Sequence, residues 1–334
     1  MTAAAIPDAV SPDAQLRRDG TLRHLLTLEG LSRETLERLL DSAERLRADA
    51  YTGTALRTRL AGRSVCTLFF EPSTRTRSSF HLAATRLGAD VLSFDASSSS
   101  TSKGETALDT LRTLEAMGVD CFAVRHAQGG AVADLAAHVD EDTALINAGD
   151  GRLAHPTQGL LDMLTLRQAK GTDFSKLTVA IVGDVRHSRV ARSDVHALRT
   201  LGTGEIRVCG PAALLPDAAE LQGCTVTDDF DAVLESADAV LMLRLQRERM
   251  QEGLVPSLDA YVREYCLTAQ RLARAKPDAV VLHPGPMNRG VEIAETVADG
   301  PASRILQQVA NGVAVRMAVM LELLAAYRSG PQIV

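Results

Sequence analysis

Between Phe70 and Phe80 the chain reads Phe-Glu-Pro-Ser-Thr-Arg-Thr-Arg-Ser-Ser-Phe. The hydroxyls of Ser73, Thr74 and Thr76 alternate with Arg75 and Arg77, directly behind the apolar run 65–70. A segment that leaves a strand and opens a helix offers N–H groups with no intrahelical partner. It also offers the positive end of the helix dipole, and both favour an anion. Hydroxyls add donors, and an arginine adds a bidentate fork for phosphate. An N-cap with solvated arginines accounts for one hydroxyl but not for three, so the spacing predicts a phosphate site. No Gly-x-x-x-x-Gly-Lys run is present, which excludes a Walker loop.

Five other segments carry chemistry-bearing residues. Arg125-His126 ends an apolar run. Asn147 to Gln158 is a glycine-rich approach to a helix in which Pro156 fits the first helical position, placing His155 at the N-cap. His155 and Gln158 are three apart and share a side of the first turn. His155 reads equally as a structural residue and as a neutral imidazole that donates to a carbonyl oxygen, its pKa lowered by the dipole. Leu243-Arg-Leu-Gln-Arg-Glu-Arg249 follows another apolar run. Arg244 and Gln246 share a side if the segment is extended, and the alternative is a solvated helix start. In His283-Pro-Gly-Pro286 the two prolines flanking Gly285 fix the backbone and can aim carbonyls inward, or form a plain turn. Ser97 to Glu105 reads by composition as a surface linker. Against that, Lys103, one of only four lysines, would suit a lid.

The elements that must position these residues alternate. Short apolar runs at 65–70, 90–94, 121–124 and 144–147 predict strands. Helices are expected at 32–48, 78–87, 105–117 and 131–138. After a long helix over 156–170 the pattern restarts. Strands are expected at 177–182, 205–209, 239–243 and 279–282, with a helix at 190–201. Repeated β-α units with short apolar strands predict an α/β fold of two doubly wound parallel-sheet domains with a cleft between them. The final helix, about 303–328, is apolar nearly all round and is expected to return to the first domain. The expected organisation is a flexible or partner-bound N-terminal arm over 1–20, a first domain over 21–154 plus 307–334, and a second over 155–306. Both halves share a strand that runs into an Arg/Ser-rich turn and a helix, 70–80 in one and 182–193 (with Arg189) in the other. Ligands of such sheets bind beyond the carboxyl ends of the strands, so two facing ligand sites are expected.

Composition narrows the function classes. The 334 residues suit about two domains. Lys+Arg 36 against Asp+Glu 42 gives −6, so no basic excess exists to hold a nucleic acid. No run reaches the roughly 18 apolar residues of a membrane span, and the start Met1-Thr-Ala-Ala-Ala-Ile-Pro-Asp does not read as a secretion signal. Five cysteines without a Cys-x-x-Cys pair read as buried thiols of a reducing cytoplasm. The histidines show no metal-ligand spacing, so neither a metal nor another cofactor is expected.

Taken in order, Phe-x-x-Ser-Thr-Arg-Thr-Arg, Ser-x-x-x-Lys-Gly-Glu, Arg-His, His-Pro-Thr-Gln, Arg-x-Gln and His-Pro-x-Pro resemble the catalytic chains of the aspartate carbamoyltransferase family, within the aspartate/ornithine carbamoyltransferase superfamily. The resemblance runs from about residue 22 to 328. The ornithine branch shares Ser-Thr-Arg-Thr-Arg and His-Pro-x-Gln, but typically has His-Cys-Leu-Pro where this chain has His283-Pro-Gly-Pro286.

The resemblance implies carbamoyl transfer from carbamoyl phosphate to the amine of L-aspartate, the committed step of de novo pyrimidine (UMP) biosynthesis. The rival readings are an ornithine-type or other carbamoyltransferase, and a non-catalytic anion-binding regulator on the same fold. It implies that Ser73, Thr74, Arg75 and Thr76 hold the phosphate, and that Thr76, Arg125 and His155 polarise the carbonyl. Gln158 and the Pro286 carbonyl would hold the carbamoyl nitrogen, with Gly285 beside them at a position that varies in the family. Arg189, Arg244 and Gln246 would take the aspartate carboxylates. Ser99 and Lys103 would reach in from the neighbouring subunit of a homotrimer. Glu71 would bridge to Arg189 and Arg249 on domain closure. It further implies a cytoplasmic enzyme and leaves open a dihydroorotase-like chain in a larger assembly. Charge agrees independently. Two substrates of roughly −4 in total match five cations, Arg75, Arg125, Arg189, Arg244 and Lys103, which are costly to bury unpaired.

Overall fold

The computed structural model describes residues 12–49, 54–95, 104–246 and 257–325. They form two compact units, one comprising the chain up to Thr157 together with the stretch from Asn311, the other Gln158–Ala310.

The first unit opens with α1 (Arg33–Asp49), whose N-terminus is capped as its sequence demands: the Thr35 N–H donates to Ser32 Oγ at 3.1 Å. There follow β1 (Ser64–Phe69), α2 (Thr74–Leu87), β2 (Asp90–Asp95), α3 (Ala107–Ala116), β3 (Cys121–His126), α4 (Ala131–Ala136) and β4 (Ala144–Asp150). The four strands form one parallel sheet in the order β2-β1-β3-β4. Strands buried on both faces read as continuous apolar runs, and Val65, Cys66, Leu68, Phe122, Val124 and Leu145 are all buried. Each such Leu or Phe contributes roughly 1.5–3 kcal/mol relative to exposure. α2 stops at Gly88, which adopts φ +84. A Cβ there would sit 1.6 Å from the Arg57 carbonyl oxygen, so only glycine fits.

The second unit continues from α5 (Pro156–Lys170) into β5 (Thr178–Val182), α6 (Arg189–Thr200), β6 (Glu205–Cys209), β7 (Thr225–Thr227), α7 (Phe230–Leu234), β8 (Ala239–Met242), α8 (Leu258–Tyr265), α9 (Ala269–Leu272), β9 (Val280–Leu282) and α10 (Glu295–Ala298). Its sheet is also parallel, in the order β7-β6-β5-β8-β9. α11 (Ile305–Ala325) closes the described chain. From Asn311 on it belongs to the first unit: Arg47 Nε donates to Asn311 Oδ1 (2.8 Å), Arg38 pairs with Glu322 (2.8 Å), and the Arg316 guanidinium lies over Phe80.

Two expectations need correction, and one strand goes beyond them. The described part of the 1–20 arm is anchored, because buried Gln15 accepts the Leu26 and Thr27 N–H groups through Oε1 at 2.7 and 2.9 Å. α2 begins four residues before the expected Ser78, since the Arg77 N–H already donates to the Ser73 carbonyl. β7 was not foreseen; three residues, Thr-Val-Thr, are too short for periodicity to register. Ser99, Lys103 and Arg249 lie outside the described residues.

Candidate active site

In the first sheet the strand order reverses between β1 and β3, the switch point at which doubly wound sheets open a crevice beyond their carboxyl ends. The sequence puts its phosphate candidates there. β1 ends at Phe69 and leads through Glu71 and Ser73 into α2. β3 carries Arg125, paired with Phe69, near its own end. The Phe70 N–H donates to the Arg125 carbonyl at 2.8 Å, locking the two strand ends together.

Ser73 occupies the N-cap position with extended φ but makes no side-chain cap. Its hydroxyl donates instead to Thr76 Oγ1 at 2.9 Å. The opening N–H groups of α2 therefore keep their donor capacity for an anion, and Thr76, 8% exposed, keeps its own hydroxyl hydrogen to donate. α3 shows the contrast: Thr106 caps it fully, in a capping box with Asp109. Arg75 lies in the first turn of α2. Arg125 is held from two sides: Nε lies 3.3 Å from Glu71 Oε2, and Nη1 donates to the Ala148 carbonyl at 3.2 Å. Glu71, expected to pair elsewhere, thus meets Arg125. His155 is buried just before Pro156 begins α5.

The second sheet repeats the device. Its order reverses between β5 and β8. Behind β5, the turn 183–188 leads to Arg189, the first residue of α6, which is buried; Ser188 caps that helix through the Ala191 N–H at 3.1 Å. Behind β8, Leu243 and Leu245 are buried while Arg244 and Gln246 are partly exposed. That alternation is the extended reading, with Arg244 and Gln246 on one side; residues 243–246 form no helix.

Asp184, to which the sequence reading gave no role, joins the two edges. It is fully buried and accepts from the His187 N–H (3.3 Å), pairs with His187 Nδ1 (2.7 Å) and accepts from the Gln246 N–H (3.2 Å). An acid inside the turn directly behind a strand was the available signal. Gly183 before it takes φ +126, and a Cβ there would crowd the Leu243 carbonyl oxygen at 3.0 Å.

Gln158, Gly285 and Pro286 also lie in this unit. Gln158 Nε2 donates to both oxygens of buried Asp162, at 3.1 and 3.3 Å. In the turn behind β9, His283 Nδ1 accepts the Gly285 N–H (2.8 Å), which fixes the proton on Nε2, aimed at buried Glu292 (3.2 Å). Glu292 also accepts the Asn288 N–H at 2.6 Å, so the His283–Pro286 turn is braced on both sides.

Anion-donor clusters at the switch points of two parallel α/β sheets define a protein built to take small anionic ligands. Residues 23–168 match the carbamoyl-phosphate-binding domain of the aspartate/ornithine carbamoyltransferases, and residues 175–323 match their Asp/Orn-binding domain; the chain belongs to this family. It is 73% identical over 310 residues (93% of this chain, 98% of the other) to the aspartate carbamoyltransferase catalytic subunit of Xanthomonas axonopodis pv. citri. The Trypanosoma cruzi aspartate transcarbamoylase solved with carbamoyl phosphate and aspartate is 30% identical with a TM-score of 0.80, covering 90% of this chain and 95% of that one. Ornithine carbamoyltransferase from Thermus thermophilus is 29% identical, also with a TM-score of 0.80, over 90% of this chain and 99% of that one.

Proposed function

We propose that this chain transfers the carbamoyl group of carbamoyl phosphate to the amine of L-aspartate, giving N-carbamoyl-L-aspartate and phosphate. One observation carries the choice of acceptor: the 73% identity across 93% of the chain to a catalytic subunit named for aspartate. Equal TM-scores to an aspartate and an ornithine enzyme leave that choice to sequence. Local charge supports it. Arg189 and Arg244 suit two carboxylates, and Asp184, in the turn behind β5, is buried and already engaged by His187 and Gln246.

In this reading Ser73, Thr74, Arg75 and Thr76 hold the phosphate. Thr76, Arg125 and His155 donate to the carbonyl oxygen, and Gln158 with the Pro286 carbonyl holds the carbamoyl nitrogen. Arg189, Arg244 and Gln246 take the aspartate. The neutral amine attacks the carbonyl carbon, the oxyanion draws on its donors, the carbon–oxygen bond to phosphate breaks, and the departing phosphate takes the amine proton. Such chemistry runs on orientation and electrostatics and needs no metal or organic cofactor. Ser99 and Lys103 enter from the neighbouring subunit of a homotrimer, Glu71 and Arg249 serve domain closure, and the enzyme is cytoplasmic. A dihydroorotase-like partner chain belongs to the same reading.

The test is phosphate release and product identity with aspartate and ornithine offered in parallel. It is combined with a melting-temperature shift on adding N-(phosphonacetyl)-L-aspartate, since a ligand bound only by the native state raises Tm. Turnover with ornithine and none with aspartate overturns the acceptor. No turnover and no shift favours the anion-binding regulator. Mixed Lys103→Ala and Arg75→Ala subunits regain activity only if sites are shared between chains.

A further inference from the structure

Asp194 on α6 is fully buried, and both its carboxyl oxygens are buried without a donor. It lies within hydrogen-bonding reach of Asp162 on α5, itself fully buried. Two adjacent buried carboxyls cannot both ionise. Asp162 is the one stabilised as an anion, because it accepts Gln158 Nε2 and, at 2.5 Å, Gln308 Nε2. Asp194 is offered nothing, so it keeps the proton and donates it. Burial and the neighbouring Asp162 charge push its carboxyl well above the usual carboxylate range, in agreement.

The consequence reaches the ligand-facing groups. A carboxylate only accepts, so Asp162 settles which end of each amide faces it. Gln158 must turn its NH2 inward, and its Oε1 is left as the outward acceptor. Gln308 must do the same, and its Oε1 accepts the His283 N–H at 2.9 Å, at the head of the His283–Pro286 turn.

We propose that Asp162 and Asp194 are a positioning pair: the Asp194 acid O–H donates to the Asp162 carboxylate, which sets the amides of Gln158 and Gln308 so that the Gln158 carbonyl oxygen and the Pro286 backbone carbonyl both meet the two N–H groups of the carbamoyl nitrogen. This rests on the carbamoyl-transfer reading and deepens it: the pair makes the site specific for an NH2-bearing acyl phosphate over one bearing a methyl group.

The experiment uses full-length protein in four forms: wild type, Asp162→Asn, Asp194→Ala and Asp194→Asn. Asp162→Asn and Asp194→Ala should lower kcat roughly ten- to a hundredfold, the scale on which a hydrogen bond to a charged group orients a reacting one, with KM for aspartate little changed. Asp194→Asn keeps both the volume and a donor toward Asp162 and should restore most of the loss seen in Asp194→Ala. Acetyl phosphate should inhibit Asp162→Asn relatively better than wild type. The infrared difference spectrum of wild type minus Asp194→Asn, recorded without substrate, should show the carbonyl stretch of a protonated carboxylic acid. Absence of that band overturns the pair even if a variant fails to fold, and wild-type kcat in Asp162→Asn overturns its positioning role. A present band in a protein that carbamoylates no amine would sink the carbamoyl-transfer reading and leave the proton-sharing pair standing.

Discussion

Arg125 Nε lies 3.3 Å from Glu71 Oε2 while Nη1 donates to the Ala148 carbonyl 3.2 Å away. One guanidinium therefore spans a carboxylate and a carbonyl at the end of β3, next to the turn that opens α2. Planarity makes this possible, and a lysine cannot reproduce it. Arg125→Lys keeps the charge and loses the fork. We expect kcat/KM for carbamoyl phosphate to fall by roughly tenfold or more, as for a lost charge-assisted hydrogen bond. Steady-state kinetics at saturating aspartate measure it, and wild-type values would remove Arg125 from the carbamoyl phosphate site.

Ser73 stands at a helix start but makes no cap, whereas Thr106 makes a full capping box. The two alanine variants should therefore part company. Thr106→Ala should lower stability by about 1 kcal/mol, the usual cost of a lost cap, and leave kinetics alone. Ser73→Ala should leave denaturant midpoints close to wild type and weaken carbamoyl phosphate binding. Equal stability losses would mean that Ser73 serves the helix and not a ligand.

Acid sensitivity should arise in part at His24. This ring is buried, its Nδ1 accepts the Leu145 N–H at 3.0 Å, and burial together with nearby Arg23 and Arg17 lowers its pKa to about 3. The native state thus refuses a proton that the unfolded chain accepts below about pH 6.5. Stability is lost as pH falls from there toward 3, with a slope approaching 1.4 kcal/mol per pH unit from this group. His24→Asn keeps an acceptor that does not titrate. Its unfolding free energy between pH 7 and 5 should show a shallower slope than wild type, and an unchanged slope would acquit His24.

Thiol chemistry should be slow and selective. Cys66, Cys121, Cys209 and Cys266 are buried, and burial raises the Cys66 and Cys209 thiols to about 12. Cys224 is half-buried and lies beside the Arg199 guanidinium. Since the thiolate is the reactive form, a water-soluble thiol reagent on native protein at pH 8 should label Cys224 first, located by peptide mapping. Prior labelling of Cys66 or Cys209 would mean that the sheets open.

Much was readable in the residues themselves. Continuous apolar runs bounded by glycines specified buried parallel strands, Pro156 fixed the start of α5, and three hydroxyls alternating with arginines behind β1 marked an anion site, because backbone and side-chain chemistry there are local. What sequence could not show was which buried partner each group would find. Ser73 turning to Thr76, Asp184 tying Gln246 to the turn behind β5, and Asp162 collecting Gln158, Gln308 and Asp194 are contacts between residues up to 146 apart. Only the tertiary packing within each unit brings those chain segments together, and only burial there, where water cannot take an acceptor's place, turns the nearness of two polar groups into a fixed orientation.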